Sequence, residues 1–105
     1  MTTLVIHTPS SKVVQEAKRS FEKTLESKVG DEYAIYRPLL PRLNPGCRVV
    51  VLDKDQEKRA EGTLVKLEPR SKTDNGIQRY DVHIVDLKRV EYQPEALNRC
   101  GIAVF

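Results

Sequence analysis

The stretch Asn44-Pro45-Gly46-Cys47-Arg48-Val49-Val50-Val51-Leu52, followed by the charged segment Asp53–Lys58 and then Ala60-Glu61-Gly62-Thr63-Leu64-Val65-Lys66-Leu67, decides the fold class. Asn-Pro-Gly is a turn signal. The run after it is β-branched and unbroken, the signature of a strand buried on both faces. A short charged turn then leads into a second extended segment, with Thr63, Val65 and Leu67 expected on one face. Gly62 within it predicts a bulge or a close backbone approach.

Downstream, Pro69 to Gly76 reads as a polar connection ending in Asn75-Gly76, the strongest short hairpin signal in the chain. A long strand is expected over about 77–90. Tyr80, Val82 and Ile84 share one face, and Val85 and Leu87 the other. That change of phase predicts a bulge near Ile84-Val85. Ile102-Ala103-Val104-Phe105 is expected to pair within the same sheet, and Pro94–Leu97 to form one helical turn.

Upstream, Leu4-Val5-Ile6 reads as a first strand. Val14, Ala17, Phe21, Leu25 and Val29 recur at spacings of three and four, which predicts one amphipathic helix over about 11–28 with Gly30 as its left-handed cap. Tyr33-Ala34-Ile35-Tyr36 is a short β-type segment. Pro38, Pro41 and Pro45 remove backbone donors, so residues 37–46 form a loop or an edge.

The 105 residues make one domain, 1–105, α+β in class. It is expected to be a small, strongly bent mixed or antiparallel sheet forming a partial barrel, with the long helix packed against it. No apolar run approaches the roughly 20 residues of a membrane-spanning helix. The N-terminal residues carry no basic-then-apolar signal pattern, so a cytoplasmic protein with no membrane partner is expected. Cys47 and Cys100 have no paired spacing and are expected to be reduced. His7, His83 and the two cysteines show no metal-ligand spacing, and the isolated glycines make no phosphate loop, so no cofactor is expected. An enzyme reading has only Cys47, Cys100 and His83 to draw on, which favours binding over catalysis.

The net charge of +3 is unevenly placed. Residues 1–36 balance to zero, residues 37–72 carry +4, and residues 73–105 carry −1. Arg37, Arg42, Arg48, Lys66, Arg70 and Lys72 supply candidate phosphate contacts, because guanidinium and ammonium groups grip phosphate oxygens. Tyr33, Tyr36 and Tyr80 are candidate stacking platforms for bases.

The order of strand, helix, short aromatic strand, Pro-Gly turn and curved strands resembles the PUA-like fold, in particular the EVE and ASCH domains. The resembling segments are Tyr33–Arg37, Asn44–Leu52 and Ala60–Val65. The resemblance implies a module that binds nucleic acid, RNA foremost. Two features depart from the pattern. Cys47 stands where those families usually carry an acidic residue, and the chain lacks the tryptophan of an aromatic modified-base pocket. The alternative is an SH3-like barrel over about 46–91 with the N-terminal strand and helix appended, which would make the chain a protein-interaction or adaptor module. The two differ on where Leu4–Ile6 goes: in the PUA-like case it pairs inside the barrel and the helix closes one end.

Overall fold

The computed structural model describes residues 2–8, 21–53, 57–93 and 102–105. The elements are β1 (Thr3–His7), α1 (Phe21–Ser27), β2 (Val29–Ala34), a 3₁₀ helix (Arg37–Arg42), β3 (Arg48–Asp53), β4 (Lys58–Lys72), β5 (Gln78–Val90) and β6 (Ile102–Val104). The six strands form one mixed sheet in the order β2-β5-β4-β3-β1-β6. It is open, with β2 and β6 at its edges, and does not close into a barrel.

The apolar run places β3 near the middle of this sheet. It pairs antiparallel with β4, Arg48 opposite Thr63, and parallel with β1, Leu4 opposite Val49. Both faces of β3 are covered. Val49 and Val51 join the main core with Leu4, Ile6, Tyr33, Ile35, Val82 and Ile84. Val50 and Leu52 pack with Val5 in a second cluster on the other face, against Tyr92 and Ala103. A strand hydrophobic on both faces must be interior, which is why the run does not alternate.

Two bulges bend the β4–β5 ribbon: the first lies beside Ile84-Val85 and Gly62, where one was expected, and the second corrects the sequence reading. Asp86 has φ 56°, and the register shifts across Glu61/Thr63. The bulge therefore falls one residue beyond Ile84-Val85. Val85 points to solvent and Leu87 returns to the core. A second shift, across Leu64/Lys66, makes Val65 an exposed extra residue. Leu64, not Val65, fills the core, so Thr63, Val65 and Leu67 do not share a buried face. Gly62 sits against the first bulge, where a Cβ would lie 2.9 Å from the Val85 carbonyl oxygen. β4 continues through Pro69, which pairs with Tyr80, so the polar connection shrinks to the turn at 73–77.

An 18-residue helix is not borne out. α1 covers only Phe21–Ser27, and the predicted residues 11–20, like Pro94–Leu97 and Cys100, lie outside the described residues. At its end Lys28, with φ 60°, takes the left-handed position expected of Gly30. Its N–H donates to the Thr24 carbonyl at 2.8 Å. Val29 and Gly30 belong to β2, opposite His83 and Val82. Gly30 is needed for space: a Cβ there would lie 2.9 Å from Ile6 Cδ1. α1 buries Phe21 and Thr24 against the sheet. The ends of Lys58 and Arg89 lie 6.0 Å from the Phe21 ring centroid, and Lys58 also pairs with Glu22. No helix among the described residues is long and apolar enough to cross a membrane.

Candidate nucleic-acid interface

The prolines after β2 build one wall of a cleft. Tyr36 caps the start of the 3₁₀ helix and is extended, with φ −64° and ψ 136°, the non-helical conformation usual for that position. Pro38 then opens the 3₁₀ helix with its missing donor in the first turn, where none is needed. This helix carries Arg37, Pro38 and Leu40 along one side of the cleft. The opposite side is the closed end of the β4–β5 ribbon, with Lys72, Gly76, Ile77, Gln78 and Tyr80. Ile35 and Tyr36 complete the lining.

Backbone bonds hold both sides in place. The Gly76 N–H donates to the Thr73 carbonyl at 2.9 Å, and the Ile77 N–H to Thr73 Oγ1 at 3.0 Å. Gly76 has φ 81°, which the turn demands and glycine accepts without strain. The Ile35 N–H reaches the Gln78 carbonyl at 3.3 Å, tying the 3₁₀ side to β5. Gln78 Nε2 donates to the Arg70 carbonyl at 2.7 Å, bridging the two strands behind the turn. The cleft encloses about 420 Å³, within the range of sites for small ligands or single nucleotides.

Four of the nine residues expected to touch nucleic acid therefore meet here: Tyr36, Arg37, Lys72 and Tyr80. Tyr36 is 45% exposed. Neither Arg37 nor Lys72 forms an ion pair with another described residue. The other five lie elsewhere. Tyr33 is 2% exposed in the main core, with its hydroxyl donating to the His7 carbonyl at 3.4 Å, so its ring offers no stacking surface. Arg48 pairs with Glu61 at the start of β3. Arg70 lies 3.7 Å from the Asp81 carboxylate. Lys66 is exposed on β4, and Arg42 ends the 3₁₀ helix.

Glu61 explains why Arg48 is committed. Burial pushes the Glu61 carboxyl up, but hydrogen bonds from Arg48 and Arg59 outweigh it and hold the group below its ordinary value. Arg59 is itself buried, donating from Nε to Glu61 at 2.9 Å and from Nη1 to the Gln93 carbonyl at 2.8 Å. Cys47, a thiol in the enzyme reading, is a free cysteine in the core, and burial pushes its pKa up. That favours the unreactive thiol over the thiolate.

The apolar lining of the cleft, Leu40 and Ile77 above all, was not among the expected binding residues. Their only signal is position: one lies within the proline stretch and the other just after Asn75-Gly76. The chain matches no protein-family model, no curated protein and no solved structure.

Proposed function

We propose that the chain is a noncatalytic module that binds single-stranded nucleic acid, RNA in preference, in the cleft between the 3₁₀ helix and the β4–β5 turn. One observation carries the reading. Segments far apart in sequence bring two tyrosines, and two cations that have no ion-pair partner among the described residues, to one apolar-lined cleft. Stacking on a tyrosine while cations hold the adjacent phosphates is how single strands are bound without a base code. The pairing of β1 between β3 and β6 favours the PUA-like arrangement over an SH3-like barrel with that strand appended, although the sheet is open where a barrel was expected.

Binding of a labelled single-stranded RNA, followed by fluorescence anisotropy against salt, tests it. Affinity should fall linearly on a log–log plot, and Arg37→Ala or Lys72→Ala should each lower the slope by about 0.7. Tyr36→Ala should cost roughly 1–3 kcal/mol. No binding at low salt, or a slope unchanged in both cation variants, refutes the reading. A protein-interaction module is the second reading, favoured by the exposed Val65 and Val85 on the bent ribbon. In that case partner binding would be lost on Val65→Asp or Val85→Asp and kept on Arg37→Ala.

A further inference from the structure

We propose that Glu68, Asp81 and His83 form a binding site for a divalent transition-metal ion of the zinc class. Each residue offers one ligand atom, and these atoms all lie within 4.8 Å of one another. Bonds of roughly 2.0–2.2 Å put two ligand atoms about 3.4 Å apart in a tetrahedral site and about 4.2 Å when opposed. The widest ligand pair, at up to 4.8 Å, must therefore close by about 1.4 Å to reach tetrahedral spacing, a movement of the size that rotating a carboxylate about its side-chain torsions gives.

The backbone supplies the preorganisation. Glu68 and Asp81 face each other across one rung of the β4–β5 ladder, and His83 lies two residues along β5 on the same face. His83 Nε2 is already 3.2 Å from Glu68 Oε1. Successive side chains of a strand alternate faces, so the cluster lies on the face of β5 opposite that of Tyr80. The site is thus separate from the cleft and independent of the nucleic-acid reading.

Two carboxylates directly opposed across strands repel each other. The Asp81 side chain is only 10% exposed, and a carboxylate taken out of water is costly unless it is paired or coordinates a metal. Arg70, 3.7 Å from Asp81, and Lys66, near Glu68, offset that charge from outside the cluster. Ion pairing alone accounts for each carboxylate separately but gives no reason to oppose them beside an imidazole. A dication does, because it takes both anions and the ring nitrogen at once. One imidazole with two carboxylates suits zinc and its first-row neighbours better than calcium or magnesium. Three protein ligands leave a coordination position open to water or another oxygen donor.

The full chain is stripped with a chelator, and Zn²⁺ is titrated in by calorimetry, with Co²⁺ as a visible-absorption probe. One Zn²⁺ per chain should bind, and Co²⁺ should give d–d bands of a low-coordinate site. His83→Ala and Asp81→Asn should weaken binding by at least the roughly 10–100-fold that loss of an outer-sphere partner costs. Arg70→Ala should tighten it, since that guanidinium competes for Asp81. Far-ultraviolet circular dichroism checks that each variant is folded. If a variant is not folded, Glu68→Gln on the more exposed strand position replaces it. The proposal is overturned if no stoichiometric Zn²⁺ binds, or if His83→Ala and Asp81→Asn bind it as the parent chain does. Weaker binding in Arg70→Ala would also overturn it.

Discussion

Replacing Gly62 with alanine tests the central feature of the fold, the tight crossing of β4 over the β5 bulge. A Cβ at this position meets Ile84 Cγ2 at 2.7 Å, the Val85 carbonyl oxygen at 2.9 Å and Leu87 Cα at 3.1 Å. Unstrained carbon contacts lie at about 3.5–4.0 Å. Two of the three neighbours are β5 backbone, so no rotamer change relieves the overlap, and the ribbon itself must open. Overpacking of this kind costs about 1–3 kcal/mol. Stiffening of the unfolded chain returns about 0.4–1 kcal/mol of that. The net expectation is a loss of about 1–2 kcal/mol. At roughly 4–8 °C per kcal/mol for a domain of this length, Tm should fall by about 5–15 °C.

Gly30→Ala is the internal control. Its Cβ would meet Ile6 Cδ1 at 2.9 Å, Tyr33 Cε2 at 3.1 Å and Val82 Cβ at 3.3 Å, all side-chain atoms. The Ile6 terminus can swing away, so this variant should lose less, about 1 kcal/mol or under. Urea unfolding followed by circular dichroism measures both, with a shift in midpoint at constant m isolating a true stability change. A Gly62→Ala variant as stable as the parent, or less damaged than Gly30→Ala, would refute the reasoning.

Lys28 ends α1 at φ 60° and is exposed, so Lys28→Gly should remove the left-handed penalty of about 1–2 kcal/mol. After the added unfolded-state entropy, a net gain of about 0.5–1 kcal/mol is expected in the same urea assay. Stability should also have an acid limb. Glu22 is held below the ordinary carboxyl value of 4.5 by its hydrogen bond from Lys58, Glu68 by its bond to His83, and Glu61 by Arg48 and Arg59 against the opposing effect of burial. A carboxyl lowered by folding adds stability that is complete above its unfolded value and vanishes as pH drops through the folded one. Unfolding midpoints measured from neutral pH downward should therefore decline below about pH 4.5, and Glu61→Gln should make that decline shallower. An identical limb in the variant would show that the Arg48–Glu61–Arg59 group is not linked to folding.

Arg37 and Lys72 show how far the site could be read from residue types. Both stood out as basic residues in the one positively biased third of the chain. So did Arg48 and Arg70, which the structure pairs with Glu61 and Asp81. Sequence cannot separate the two sets of basic residues, because the carboxylate partners of Arg48 and Arg70 lie on neighbouring strands and register alone brings them within reach. Tyr33 and Tyr36 differ in the same way. Three residues apart, one is sealed in the core and the other lies on the cleft, because β2 ends between them and the chain turns into the 3₁₀ helix.

What the sequence by itself determined was the local grammar. The run from Val49 to Leu52 had to be an interior strand, since its apolar side chains demand cover on both faces. The cluster Pro38, Pro41 and Pro45 had to interrupt the sheet, since three donors are missing within eight residues, whereas β4 accommodates the single Pro69. Asn75-Gly76 had to turn the chain, since glycine accepts positive φ. What only the tertiary structure decided was phase and company. The extra residues at Val65 and Asp86 reset which side chains face the core. The C-terminal end of α1 and the start of β2 were settled by pairing of Val29 and Gly30 with β5, which wins over a helical stripe that Val29 also fits. Propensity acts over a few neighbours, whereas these outcomes turn on strands brought together from distant parts of the chain.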